Sequence, residues 1–333
     1  MDTPGYLLST LDLITAPKIP KASLRAGGVA HAESLHMQRV RDIFEDKNIV
    51  AIGISEKATE RKDIGVLGLT FYVEKKLAKR SLKAGKLIPP VMAAPNGKAV
   101  FTDVKELGKV RPEAPLRRAK PIQSGYSVAH VDDTAGTVGA IVVKDGKYFI
   151  LSNSHVLANA GLAKLKDNIV YPGPSDLGIM PKHFVGRLAK FIKFKTGGDF
   201  VNRVDAALCA IDKSRLGDLD FSIYGMQGTQ KTLAPKRGMT VMKRGRTTGE
   251  SAGEKILDIN FRVVVDYDGV GQIGFTDQVL CERYSKPGDS GSIVCDQATG
   301  RILGLHFSGA PGGSVFNPIA AVIAALRFKF ATK

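Results

Sequence analysis

The stretch GTVGAIVVKDGKYFILSNSHVLA, residues 136–158, decides the fold class. Two β-branched and aromatic runs flank Lys144-Asp145-Gly146-Lys147, and Asp-Gly at the centre of such a pair is a two-residue hairpin turn. The second run ends in small polar residues and a histidine, His155. Downstream, VDAALCAI, MTVMKRGR, FRVVVDY, DQVLCERY, SIVCD and ILGLHFSG repeat the pattern as short strands set apart by Gly, Asn and Asp. This spacing predicts a β-sandwich or barrel over residues 123–333. The clear helix of this half is PIAAVIAALRFKF (318–330), with Pro318 near its first turn.

Upstream the pattern differs. Residues 1–35 have little periodicity and read as an arm, whereas LHMQRVRDIFED (35–46) spaces its apolar residues as a helix does. NIVAIGIS (48–55) and VLGLTFYVEKK (66–76) read as strands, and a Pro-rich loop leads to another at 98–106. Residues 36–106 therefore form a small α+β domain. GKVRPEAPLRRAKPIQ (107–122) is basic, Pro-interrupted and aperiodic, which makes it a linker.

Three cysteines and no secretory signal argue against a disulfide framework and for a reducing, cytoplasmic setting. No apolar run is long enough to span a membrane. The net charge of +16 would attract nucleic acid, acidic lipid or acidic polypeptides, but the basic residues are scattered. The densest clusters, KFIKFK (190–195) and KRGMTVMKRGR (236–246), read as strands with solvated faces. The six histidines and three cysteines form no paired ligand spacing, so neither a metal nor a cofactor is expected. Oligomeric state is not legible.

Acyl transfer from serine needs a hydroxyl, a base beside it and a buried carboxylate orienting that base. Ser290 lies in KPGDSGSIV (286–294), a glycine-rich turn running into an apolar strand. Asp205 opens the hydrophobic run of NRVDAALCAI, where an acid needs compensation for burial. His155 supplies the base. The backbone amides of Gly288 and Ser290 are the expected oxyanion donors. The chain order His, Asp, Ser is that of chymotrypsin-type enzymes and differs from that of α/β-hydrolases.

On SNSHVLA, NRVDAALCAI, KPGDSGS and GRTTG (245–249), residues from about Ser124 to Lys333 resemble a trypsin-like, chymotrypsin-fold serine protease. The resemblance implies a mainly β protein with two antiparallel barrels split near Gly228. The first barrel would carry His155 and Asp205, and the triad would occupy the cleft between the two. The amino-terminal half resembles the small domain preceding the protease in a group of bacterial trypsin-like proteins, on GISEKATERKDIGVLGLTFYVEKKL and the following IPP. Many relatives are activated when a newly cut amino terminus pairs with the aspartate before the nucleophile. Here a whole domain precedes the protease, so Asp289 is expected to find a different partner.

Specificity for Lys or Arg needs an acid where this chain has Tyr284. GLHFSGAPGGSVFNP (304–318) instead resembles the pocket strand of glutamyl endopeptidases and of viral cysteine proteases with this fold. That implies a pocket of Tyr284, Ser285, His306, Phe307 and Ser308 that hydrogen-bonds a Glu or Gln side chain of a polypeptide substrate. Two other readings stand beside this one. The protease fold could be a silent module holding nucleic acid or an acidic protein. Alternatively, the amino-terminal domain could be a sensor that gates the protease.

Overall fold

The computed structural model describes residues 3–15, 46, 48–59, 62–82, 87–108, 121–223 and 231–332. Helix α1 (Gly5–Thr15) precedes strands β1 (Ile49–Thr59), β2 (Lys62–Val73), β3 (Val91–Ala93) and β4 (Ala99–Glu106). Strands β5 (Ser127–His130), β6 (Gly136–Thr137), β7 (Ala140–Lys144) and β8 (Lys147–Ser152) lead into the one-turn helix α2 (Ser154–Leu157). Next come β9 (Asn168–Val170), β10 (Phe184–Phe191), β11 (Phe200–Asn202) and β12 (Ala207–Ile211). The chain then forms β13 (Thr240–Gly245), β14 (Gly249–Tyr267), β15 (Gly271–Cys281), β16 (Ile293–Asp296), β17 (Ile302–Ala310) and β18 (Gly313–Pro318). It closes with helix α3 (Ile319–Leu326) and β19 (Lys329–Phe330).

The protein is mainly β and matches the expected two-barrel, chymotrypsin-type arrangement. One sheet has eight strands in the order β19-β7-β8-β12-β10-β9-β5-β6. The β7–β8 hairpin turns where Asp-Gly demands it. Asp145 (φ 49°) and Gly146 (φ 70°) are both left-handed, and Lys144 pairs with Lys147 across the turn. The second sheet has eleven strands, ordered β11-β15-β18-β17-β16-β13-β14-β1-β2-β4-β3. Between the sheets, Val142, Leu151 and Leu208 of the first meet Met242, Ile293 and Leu305 of the second, with Val322 and Leu326 of α3. Burying each such side chain stabilises the fold by about 1.5–3 kcal/mol.

The amino-terminal strands extend the second sheet. β1 pairs with β14 at Ala51↔Val263 and Ile52↔Arg262, and β2, β4 and β3 follow. Helix α1, in the segment read as an arm, buries Leu7, Leu11 and Ile14 against Ile52, Ile54, Leu69 and Phe71. The expected helix at 35–46, the split near Gly228 and most of the linker lie outside the described residues.

The solvated-face reading of the two basic clusters needs correction. β10 ends at Phe191, so KFIKFK is only partly strand. Lys243 and Arg246 are buried, because each has an acid beside it: Asp289 for the lysine and Asp176 for the arginine. Among the described residues no helix is long and apolar enough to cross a membrane.

Candidate active site

Strands β8 and β12 pair antiparallel, Ser152 opposite Ala207, which sets Asp205 beside the start of α2. The Asp205 carboxylate is fully buried and well supplied with donors. The backbone amides of Ser154 (2.6 Å) and His155 (3.2 Å) donate to Oδ1. His155 Nδ1 lies 2.5 Å from Oδ2. The backbone of Asp205 is fixed as well: its amide donates to Asn317 Oδ1 at 2.9 Å, and its carbonyl accepts Asn153 Nδ2 at 2.7 Å. An acid at the head of an apolar run is tolerated here because its lone pairs are met. The other ring nitrogen, His155 Nε2, is buried and makes no hydrogen bond.

Ser290 sits in a turn whose glycines are required. Gly288 and Gly291 both have φ of +97°, and a Cβ on Gly291 would come within 2.2 Å of Ser152 Oγ and of the Thr137 carbonyl. The turn abuts the helix carrying His155: at Gly136 a Cβ would sit 2.3 Å from Val156 Cγ2 and 2.9 Å from the Ser290 carbonyl. Glycine at 136 thus lets the two elements close on each other. The Ser290 hydroxyl donates to the Phe307 carbonyl at 3.3 Å.

Three carbonyls of the turn, those of Pro287, Gly288 and Ser290, are held from outside. Thr247 Oγ1 donates to the Pro287 carbonyl. In a trans peptide the Gly288 N–H points the opposite way from that carbonyl, hence away from the 245–249 loop. Thr137 Oγ1 donates to the Gly288 carbonyl at 2.6 Å, and the Thr137 amide donates to the Ser290 carbonyl at 2.7 Å.

Asp289 has the different partner anticipated for it. Its carboxylate accepts Lys243 Nζ at 2.6 Å, with neither side chain exposed. Thr248 Oγ1 and the amides of Thr247, Thr248 and Lys286 complete the set at 2.8–3.1 Å.

Of the expected pocket residues, Tyr284 and His306 touch, the hydroxyl lying 3.1 Å from Nδ1. Burial, then the charges of Lys243 and His155, hold the His306 imidazole well below its usual pKa, so it is neutral at pH 7. His306 Nε2 and Ser308 Oγ are buried without hydrogen bonds. Ser285 Oγ pairs with Ser314 Oγ at 2.7 Å. Phe307 differs: its ring packs in the core 4.9 Å from Phe275, and its backbone carbonyl is what meets Ser290.

Sequence reasoning missed Thr137, Lys243, Tyr267 and Asn317, all of which bond to the Asp205 or Ser290 segments. Only Lys243 carried a signal. It shares the alternation of Val241 and Gly245, which marks an inward face.

A scan against protein-family models finds no match, and a search of the curated proteins finds none. Among solved structures the chain is similar to a serine protease specific for glutamic acid, at 17% identity and a TM-score of 0.44, over 63% of this chain and 100% of that one. It is also similar to Protease A of Thermobifida fusca, at 17% identity and 0.45, over 64% and 99%. A third is the chymotrypsin of Cellulomonas bogoriensis, at 16% and 0.43, over 64% and 99%.

Proposed function

We propose that the protein is a serine endopeptidase in which Ser290 is the nucleophile, His155 the general base and Asp205 the group that orients it. The observation carrying this reading is the buried 2.5 Å contact of His155 Nδ1 with Asp205, which leaves Nε2 without a hydrogen bond, on a helix that closes against the turn of Ser290 through Val156 and Gly136. When the Ser290 hydroxyl turns from the Phe307 carbonyl to Nε2, the imidazole takes its proton as Oγ attacks the peptide carbonyl. Such bonds are often long before substrate binds. The amides of Gly288 and Ser290 hold the oxyanion, and losing one donor of this kind costs about 2.7–4 kcal/mol. His155 then protonates the leaving amine, and water releases the acyl-enzyme.

In this reading the substrate is a polypeptide, cut after Glu or Gln. A Tyr284 hydroxyl donating to His306 Nδ1 leaves the ring proton on Nε2, where it suits a carboxylate or amide oxygen. The unpartnered Ser308 hydroxyl offers a second donor. Three free, buried cysteines fit a reducing, cytoplasmic setting. The continuous sheet joining the amino-terminal strands to β14 is compatible with gating by that unit.

The test is cleavage profiling of a peptide library with the full chain and with Ser290→Ala. The expected result is products ending in Glu or Gln from the wild type and none from the variant. Equal cleavage by both would refute the assignment of Ser290, and products ending in Arg, Phe or Ala would refute the pocket.

A further inference from the structure

Asp205 Oδ2 has a second donor besides the imidazole. The Tyr267 hydroxyl donates to it at 2.9 Å from the far end of β14, in the sheet opposite the one whose strand β8 precedes His155 and whose strand β12 follows Asp205. Tyr267 is buried, and a buried phenol needs an acceptor. Burial and the Asp205 charge keep this hydroxyl protonated far above its usual range, so it stays a donor across the working pH of an enzyme.

The ring has little freedom to leave. Phe194 stacks on it with centroids 5.1 Å apart, Phe275 lies at 6.4 Å, and the His155 ring lies at 5.4 Å. The carboxylate is thereby loaded symmetrically: two backbone amides on Oδ1, the imidazole and the phenol on Oδ2. Rotation of the carboxylate would break all four bonds at once.

We infer that Tyr267 is a positioning residue for the proposed hydrolysis: its hydroxyl fixes the Asp205 carboxylate toward His155 and shares its negative charge. This rests on the serine-protease reading above. Without the hydroxyl, the carboxylate is free to turn, and the imidazole loses its fixed orientation.

The experiment compares the full chain with Tyr267→Phe, which keeps the ring and its stacking. Steady-state cleavage of a peptide amide is measured from pH 5 to 9, with the rate of fluorophosphonate labelling of Ser290 alongside. The expected result is a fall in kcat of about tenfold or more, since hydrogen bonds to charged groups contribute at that level. KM should change less than twofold, and labelling should slow in parallel. The downfield proton signal of His155 Nδ1 should also shift in the variant, a readout that needs no turnover. Wild-type kcat and Nδ1 signal in Tyr267→Phe would overturn the role of Tyr267 and leave the protease reading standing. A wild type that neither labels nor cleaves would overturn both.

Discussion

Lys243 and Asp289 face each other without solvent exposure, and the acid is the residue immediately before Ser290. The ammonium does what a charge must do to lie in a core: it meets an opposite charge and a hydroxyl, that of Thr248. Replacing it with Met keeps the volume but leaves a buried carboxylate unpaired, which costs about 3–5 kcal/mol. Lys243→Met should therefore lower the urea midpoint strongly, with loss of activity because Asp289 anchors the turn. A midpoint within error of the wild type would show that the pair is dispensable. Ser290, His155 and Asp205 are singled out in the chain because their types and settings suit the proposed chemistry. Lys243 is not announced by type, and only its alternation with Val241 and Gly245 hints that it points inward. Tyr267 closes an ordinary-looking FRVVVDY strand, and its partner lies 62 residues away in sequence, in the loop that leads into β12 of the other sheet.

The elements divide along the same line. Hairpins closed by local chemistry, such as β7–β8 with Asp-Gly, are readable because the turn and the strand period agree. The first half of β14 (GESAGEKILDIN) is polar and irregular, and it is a strand because β13 and β15 pair with it in turn. Helix α1 is short and preceded by turn formers, and it is stabilised by the sheet it covers. The turn of Ser290 depends on contacts of this second, non-local kind. Thr137 Oγ1 donates to the Gly288 carbonyl and accepts the Arg246 amide at 3.1 Å. Thr137→Val keeps the shape, yet strands both partners at a cost of about 1–3 kcal/mol each. It should reduce kcat more than it raises KM in steady-state kinetics, whereas a pure KM effect would assign Thr137 to substrate binding. Gly291→Ala should be worse, since its Cβ meets Ser152 Oγ and the Thr137 carbonyl at 2.2 Å. Thermal unfolding should register that clash as a lower Tm.

Across the molecule, the amino-terminal strands and the second barrel share one sheet through β1 and β14, a pairing that nothing in NIVAIGIS specifies. The joint is built from both sides. Tyr72 packs edge-on against Phe261 at 5.2 Å, and Arg262 bonds Asp12 at the end of α1. Asp258 is buried there against Gly53, its Oδ2 without a hydrogen bond, and burial raises its pKa to about 7. The folded pKa exceeds the unfolded value of about 3.9, so the folded state holds this proton longer. Its contribution to stability is complete below about pH 4 and is lost as the pH rises through about 7. Urea unfolding should show stability declining over that window and a smaller decline in Asp258→Asn. An identical slope would mean that the carboxyl is not linked to folding. The proposed activity requires one chemical property, a nucleophilic Ser290 hydroxyl activated by His155. The most direct measurement is intact mass and peptide mapping after fluorophosphonate treatment of the wild type, His155→Ala and Ser290→Ala. The prediction is one adduct, on Ser290 of the wild type, strongly slowed in His155→Ala and absent in Ser290→Ala. An unlabelled wild type, or equal labelling of all three, would contradict it.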